Sequence, residues 1–235
     1  MTLFTFDGHS CREFGIVADG GNTWGTPEAD VDSVVIPGRN GELTIDNKRF
    51  KNIIVPYRCG IVRDFAENAA AARAWLLSKR GYRRLTDSLH SGEFRLARFA
   101  GPVDFDMQFM NRAGETVLNF DCRPERFLTG GELTLELHQS GATIANPTDF
   151  TALPLITVHG TGAGTLNVGG VTVAISAIDD YVTLDCEAKE AYKGSLNKNS
   201  TITGHSFPAL DPGNTTITWS GGVTYVEIIP RWWTV

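Results

Sequence analysis

Histidine, cysteine and carboxylate side chains could carry catalysis or hold a metal in this chain, but their spacing favours neither. The five histidines are dispersed: His9, His90, His138, His159 and His205. The four cysteines are equally far apart: Cys11, Cys59, Cys122 and Cys186. Neither set has the His-Glu-x-x-His or Cys-x-x-Cys spacing of zinc sites. We therefore predict no catalytic residues, no cofactor and no metal site.

Two other local patterns could bind a phosphate group or a calcium ion, but in each case an ordinary turn is the favoured interpretation. The glycine-rich stretch 160–164 lacks the helix pattern and the lysine of a phosphate loop, so a β-turn is predicted there. Asp179, Asp180, Asp185 and Glu187 could hold calcium, but the spacing of a calcium loop is missing. An acidic turn on a solvated face is favoured. The chain also lacks a Gly-x-Ser-x-Gly motif, so we expect a protein that is not an enzyme.

Three tryptophans near the C-terminus suggest a second kind of chemistry, which is stacking on the apolar face of a sugar. They are Trp219, Trp232 and Trp233. Tryptophans in the terminal strands of small β-sandwiches more often pack in a core or an interface. Both interpretations stay open at this point, with packing favoured.

Composition favours a turn-rich β protein. The chain has 235 residues with 25 glycines and 10 prolines, and charged residues make up only 20%. The net charge of −6 argues against specific nucleic-acid binding. Residues 1–128 hold 17 basic and 17 acidic side chains. Since the whole chain has 21 basic and 27 acidic side chains, residues 129–235 hold 4 basic and 10 acidic ones. This shift indicates two units with different surroundings.

The N-terminus lacks the basic and apolar regions of a signal peptide, and no apolar run is long enough for a membrane span. We therefore expect no membrane insertion, synthesis in a reducing cytoplasm, and free, mostly buried thiols.

The first half is predicted to consist of short strands and one helix. Strands are expected at 3–6, 14–17, 31–36, 43–45, 53–62, 83–86, 94–99, 103–109 and 116–122. The Pro-Gly and Asn-Gly pairs within residues 36–41 indicate a tight hairpin turn. Apolar residues at helical spacing, with Asp64 and Glu67 as a capping box, predict a helix over 64–80.

The second half is predicted to be a series of short strands with turns at its glycines. Within the first half, a glycine-rich break at Gly20-Gly21 follows the second strand. An exit near 128–140 divides the chain into domains 1–130 and 131–235. Turns are expected at 160–162, 179–180 and 220–222, so the chain would close with a hairpin. Strands at this spacing without a helix indicate a sandwich or jelly roll.

Four ordered blocks resemble the distal tail proteins (Dit) of long-tailed siphophages. They are VVIPGRNG at 34–41, AWLLSKRGYRRLTD at 74–87 followed by FRLARF at 94–99, LNFDCRP at 118–124, and the C-terminal block from Phe207 to the PRW at 230–232. Together they cover nearly the whole chain.

The resemblance implies a mainly β fold in two parts. It implies an N-terminal β-sandwich with one α-helix and a long β-hairpin, and a galectin-like C-terminal β-sandwich facing outward. Six copies would form a ring, possibly a double ring, at the distal end of the phage tail. The implied partners are the tail tube protein, the tail-tip hub or tail-associated lysin protein, and receptor-binding or baseplate proteins.

The predicted hairpin supplies the candidate inter-subunit contact. Its turn is too polar for a core and too ordered for a linker, so Ile36, Pro37, Gly38, Arg39, Asn40 and Gly41 are expected to lie on a neighbouring subunit. The alternative function is a carbohydrate-binding module that recognises cell-wall glycans. A third possibility combines a ring with a sugar-binding second domain.

Overall fold

The computed structural model describes residues 3–19, 23–108, 112–203 and 207–235. The chain divides into two compact units, Met1–Arg126 together with Val235, and Phe127–Thr234. The predicted break at Gly20-Gly21, the strand end at Phe109 and His205 lie outside the described residues. Among the described residues, no helix is long and apolar enough to cross a membrane.

The first unit is built around one antiparallel sheet and one helix. Its elements are β1 (Phe4–Phe6), β2 (His9–Ser10), β3 (Ile16–Ala18), β4 (Ala29–Val35), β5 (Glu42–Phe50), β6 (Ile53–Ile61), α1 (Phe65–Ser78), β7 (Arg83–Asp87), β8 (Glu93–Phe99), β9 (Asp106–Gln108) and β10 (Ala113–Leu128). The main strand order is β2-β1-β7-β8-β10-β6-β3, with β9 also on β10. Strands β4 and β5 form a separate two-stranded sheet.

Aromatic packing between β1, β6, α1 and β10 forms the core of this unit. Phe4 lies 4.7 Å from Tyr57, and Phe6 lies 5.1 Å from Phe120, between ring centroids. Trp75 of α1 stacks on Phe14 at 4.3 Å. The alternation of buried and exposed residues along β6 and β10 therefore turns one face of the sheet toward the helix.

Helix α1 is shorter than predicted and begins differently. It buries Ala69, Ala72, Trp75 and Leu76, as the apolar spacing predicts. The neighbouring Leu77 is 57% exposed. The predicted capping box is wrong, because Asp64 has φ 47 and its side chain makes no cap hydrogen bond. A capping side chain needs an extended backbone to reach the first-turn amides.

The stretch predicted as a strand at 103–109 is mostly irregular. Only Asp106–Gln108 forms a strand among its described residues. Val103 is buried and Phe105 is half-buried, whereas Met107 is 46% exposed. Regular alternation along 103–109 would place Val103, Phe105 and Met107 on one face, but Met107 is not buried with the other two.

The second unit is a sheet of long strands. Its elements are β11 (Leu135–Leu137), β12 (Ala142–Asn146), β13 (Leu155–Val168), β14 (Val171–Asp185), β15 (Glu190–Lys193), β16 (Leu196–Asn197), β17 (Ile202–Thr203), β18 (Gly213–Ile229) and β19 (Trp233–Thr234). The strand order is β11-β18-β13-β14-β15-β16, with β12 on β18 and β17 on β14. The central pairs are antiparallel.

The turns predicted at 160–162, 179–180 and 220–222 are not turns, and the predicted closing hairpin is wrong. Glycines 160–164, the Asp179-Asp180 pair and glycines 221–222 all lie inside continuous strands. A Cβ on Gly160 would overlap the carbonyl oxygen of Gly222, and a Cβ on Gly222 would overlap that of Thr161. Glycine is required here because β13 and β18 approach closely at a register shift.

The chain is mainly β with curled antiparallel sheets, which confirms the predicted fold class and is consistent with a β-sandwich fold. The galectin-like and jelly-roll description of the second unit stays a prediction.

Candidate functional site: an exposed β-hairpin

The hairpin of β4 and β5 is the strongest candidate for a functional surface. Within the described residues, these strands pair with each other and with no other strand. Val34 pairs with Leu43, and Asp32 pairs with Ile45. Since residues two apart share a face of a strand, Val34, Leu43 and Ile45 lie side by side on one face. We call these three residues the apolar row.

The apolar row is open to solvent. Val34, Leu43 and Ile45 are 45%, 45% and 50% exposed, and Val35 on the opposite face is 71% exposed. Branched apolar side chains favour a strand, but a lone two-stranded hairpin is marginally stable in water. A contiguous exposed apolar surface is typical of an interaction site. The hairpin therefore has the character of a segment that another protein surface covers.

The turn of the hairpin is a Pro-Gly turn. The Arg39 amide donates to the Ile36 carbonyl oxygen at 3.1 Å, with Pro37 and Gly38 between them and Gly38 at φ 78. These features are typical of a type II β-turn. Ile36 is half-buried, and residues 37–41 are exposed. The predicted hairpin turn is confirmed, because residues 36–41 connect β4 to β5, which begins at Glu42.

Polar pairs across the hairpin support its register. Arg49 Nε donates to Asp30 Oδ2 at 2.7 Å, and Asn47 Nδ2 donates to Asp32 Oδ2 at 3.1 Å. Exposed pairs of this kind contribute up to about 1 kcal/mol each. They order the hairpin without covering its apolar row.

Arg126 attaches the chain that enters the hairpin to the main sheet. It is buried, and its Nη2 donates to the Thr23 carbonyl oxygen at 3.2 Å. Its guanidinium lies 5.9 Å from the Trp24 ring, and that ring lies 4.4 Å from His90. The chain that leads into the hairpin is thereby held on β10 and on the loop before β8, while the far end of the hairpin extends beyond these contacts.

Asp87, next to this base, has a structural role. It accepts hydrogen bonds from the Tyr57 hydroxyl at 2.7 Å, from His90 Nδ1 at 2.8 Å and from the backbone amide of Leu89 at 2.9 Å. Burial raises the pKa of Asp87, but the bonds from Tyr57 and His90 outweigh it and hold the pKa below its usual value. Because its carboxylate oxygens already accept these hydrogen bonds, Asp87 stabilises the fold.

The three candidate sugar-stacking tryptophans lie against the core of the second unit. Trp232 is only 6% exposed, and Trp219 and Trp233 are half-buried. Trp233 Nε1 donates to the Thr151 carbonyl oxygen at 3.0 Å, and its ring lies 4.5 Å from that of Phe150. A glycan-binding role for these residues stays a prediction.

Three of the four acidic residues considered for calcium lie beside basic side chains. Arg231 donates from Nη1 and Nη2 to the two carboxylate oxygens of Asp185 at 2.8 and 3.1 Å, and it lies 3.6 Å from Glu187. Lys193 lies 3.3 Å from Asp179. The hydrogen bond from Arg231 lowers the pKa of Asp185. In the described parts of the chain, no group of three or more His, Cys, Asp or Glu could hold a metal ion.

The four cysteines are free and buried, which confirms that expectation. Burial raises the pKa of the Cys122 and Cys186 thiols to about 12. Thiols with raised pKa values are poor nucleophiles at neutral pH. These side chains therefore serve as small core residues.

Comparison with solved structures finds a similar fold. No family model and no curated protein matches the sequence. The structure superposes on the crystal structure of SPP1 Dit (gp 19.1) with a TM-score of 0.78 and 11% identity over 100% of both chains. SPP1 Dit is described as a paradigm of the hub adsorption apparatus in phages that infect Gram-positive bacteria. The chain has the Dit fold.

Sequence reasoning located the hairpin turn but missed the apolar row. The signal was present, because Val34, Leu43 and Ile45 fall on one face once Val34 is paired with Leu43. Their exposure could not be predicted, since the same alternation is typical of a strand that covers a core.

Proposed function

We propose that this protein is a structural component of a long-tailed phage, forming a ring of six copies at the distal end of the tail. The ring would join the tail tube to the tail-tip hub. It would also support the receptor-binding or baseplate proteins that attach the particle to its host. The protein would be made in the host cytoplasm and would act without catalysis.

The exposed hairpin is the observation that carries this proposal, together with the full-length likeness to SPP1 Dit. A closed ring needs two different, complementary surfaces on each copy. The apolar row with the turn at 36–41 supplies one of them. Its open face favours contact with a neighbouring copy.

The mechanism follows from geometry. Each hairpin would reach across a subunit boundary, so that every copy both donates a hairpin and receives one. A stable protein interface buries at least about 1,000 Å² in total. A hairpin of two strands covers part of this area, and the remainder would come from the faces of the first unit.

The test is the mass of the purified protein in solution, measured by native mass spectrometry and checked by negative-stain imaging. We expect six copies, or twelve for a double ring, and images with a central hole. A monomer at all accessible concentrations contradicts the proposal.

A further inference from the structure

A groove on the outer side of the first unit's sheet offers a second binding surface. It has a volume of about 670 Å³ and is formed along β3, β6, β9 and β10. It is lined by Val17, Asp19, Arg58, Cys59, Gly60, Val62, Asp104, Asp106, Glu115, Thr116 and Val117. We call it the acidic groove. Its volume is large enough for several side chains of another chain.

The acidic groove carries uncompensated negative charge. Four carboxylates and one guanidinium line it, which leaves three negative charges at neutral pH. In the described residues, Asp104, Asp106 and Glu115 have no ion-pair partner, and all three are exposed. Asp121 of the same unit, in contrast, is matched, because it lies 2.6 Å from Arg98 Nη2. The groove therefore favours a cationic partner.

The arrangement of the groove favours a chain segment over a metal ion. Its carboxylates do not form a group that could hold a metal, among the residues that the structure describes. The groove is also lined by the apolar side chains of Val62 and Val117, which are 64% and 45% exposed, and Gly60 contributes no side chain. A partner that fits must therefore combine a cation with apolar side chains.

The far end of the hairpin has this combination. Arg39 is the charged residue of the turn 36–41, is exposed, and has no ion-pair partner within the described chain. The neighbouring Val34 and Leu43 belong to the apolar row. Glu42 pairs with Val35 and so lies on the opposite face from that row. A guanidinium forms two parallel hydrogen bonds with a carboxylate, which suits an exposed acidic surface.

We propose that the acidic groove of one copy receives the end of the hairpin from a second copy, with Arg39 on the carboxylates of Asp106 and Glu115. This inference rests on the ring proposed above and adds the surface that receives the hairpin. The two surfaces differ and lie on the same unit, as a head-to-tail contact that closes a ring requires.

Charge reversal on each side tests the contact. We expect Arg39→Glu and Glu115→Arg each to weaken assembly at least about tenfold, because like charges then face each other. A 1:1 mixture of the two variants should recover assembly, since an alternating ring contains only opposite charges at each contact. Glu190→Arg, an exposed reversal in the second unit, is the matched control and should leave assembly unchanged.

The outcomes separate this inference from the ring itself. Rings that form equally well in every variant overturn the docking proposal and leave the ring intact. Single variants that fail, with a mixture that also fails, overturn the pairing of Arg39 with Glu115. A wild-type protein that stays monomeric contradicts both the ring and the docking.

Cross-linking provides a positive readout of the same contact. In the Arg39→Cys, Glu115→Cys double variant, a short bismaleimide should produce a ladder of linked copies up to the full ring. Neither single variant should give this ladder, because the native cysteines are buried. Rings without a ladder would overturn the docking proposal.

Discussion

The hairpin and the long strands of the second unit use the same kinds of residue in opposite surroundings. Ile45 of the hairpin is 50% exposed, whereas Ile156 of β13 is 0% exposed. Both lie in strands that favour branched side chains, and both pair with an antiparallel neighbour. The difference shows that β propensity decides where a strand forms, while the neighbouring layer decides whether it stabilises the monomer.

The largest expected effect is a difference in the free energy of unfolding between alanine variants of these two isoleucines. Ile156→Ala should lower the free energy of unfolding by about 3 kcal/mol, because it removes buried methyl groups and leaves a cavity. Ile45→Ala should change it by less than about 0.5 kcal/mol, since its side chain is half in water. Denaturant unfolding at a protein concentration low enough to keep the chain monomeric measures both. Equal losses in the two variants would contradict the comparison.

The next largest effect is expected where β13 and β18 approach each other closely. Gly222→Ala should destabilise the second unit by about 2 kcal/mol or more, because its Cβ would overlap the carbonyl oxygen of Thr161. Gly130→Ala is the control, since no atom lies within 4 Å of a Cβ at that position. Thermal unfolding of the two variants gives the comparison, and an unaffected Gly222→Ala would rule out the close approach.

These glycines also mark the limit of prediction from the sequence. The β class, the helix and the hairpin follow from branched residues, apolar spacing and a Pro-Gly turn. The glycines at 160–164 and 221–222 were predicted as turns, because a turn and a tight strand crossing need the same absence of a side chain. Only the partner strand distinguishes them, and that partner is more than 50 residues away in the chain.

The candidate site shows a similar limit. The turn 36–41 is visible as a local signal, but the acidic groove joins residues from β3, β6, β9 and β10. Asp19 and Glu115 become neighbours in one groove only through strand order, which the sequence does not contain.

An ion pair of the second unit has a smaller, pH-dependent effect. Since Arg231 lowers the pKa of Asp185, the stability from this pair is fully present above the unfolded value of about 4 and is lost as the pH falls through the lower folded value. Asp185→Asn should cost about 1 kcal/mol at pH 7 and less at lower pH, after allowance for its partial exposure. Unfolding midpoints measured from pH 7 down to pH 3 test this.

Asp180→Asn is the matched control for that pair, because Asp180 is exposed and asparagine tolerates its φ of 68. If the unfolding midpoint of Asp185→Asn equals that of the wild type at every pH, the ion pair contributes nothing to stability.

The central claim is that the hairpin joins copies of the chain through its apolar row. The most direct measurement compares the native mass of the wild type with that of Leu43→Asp, alongside their circular-dichroism spectra. We predict a six-copy assembly for the wild type and folded monomers for Leu43→Asp, with spectra that agree. The unfolding midpoint of the wild type should be the higher one, because assembly stabilises the folded chain. A Leu43→Asp protein that assembles like the wild type would contradict the account.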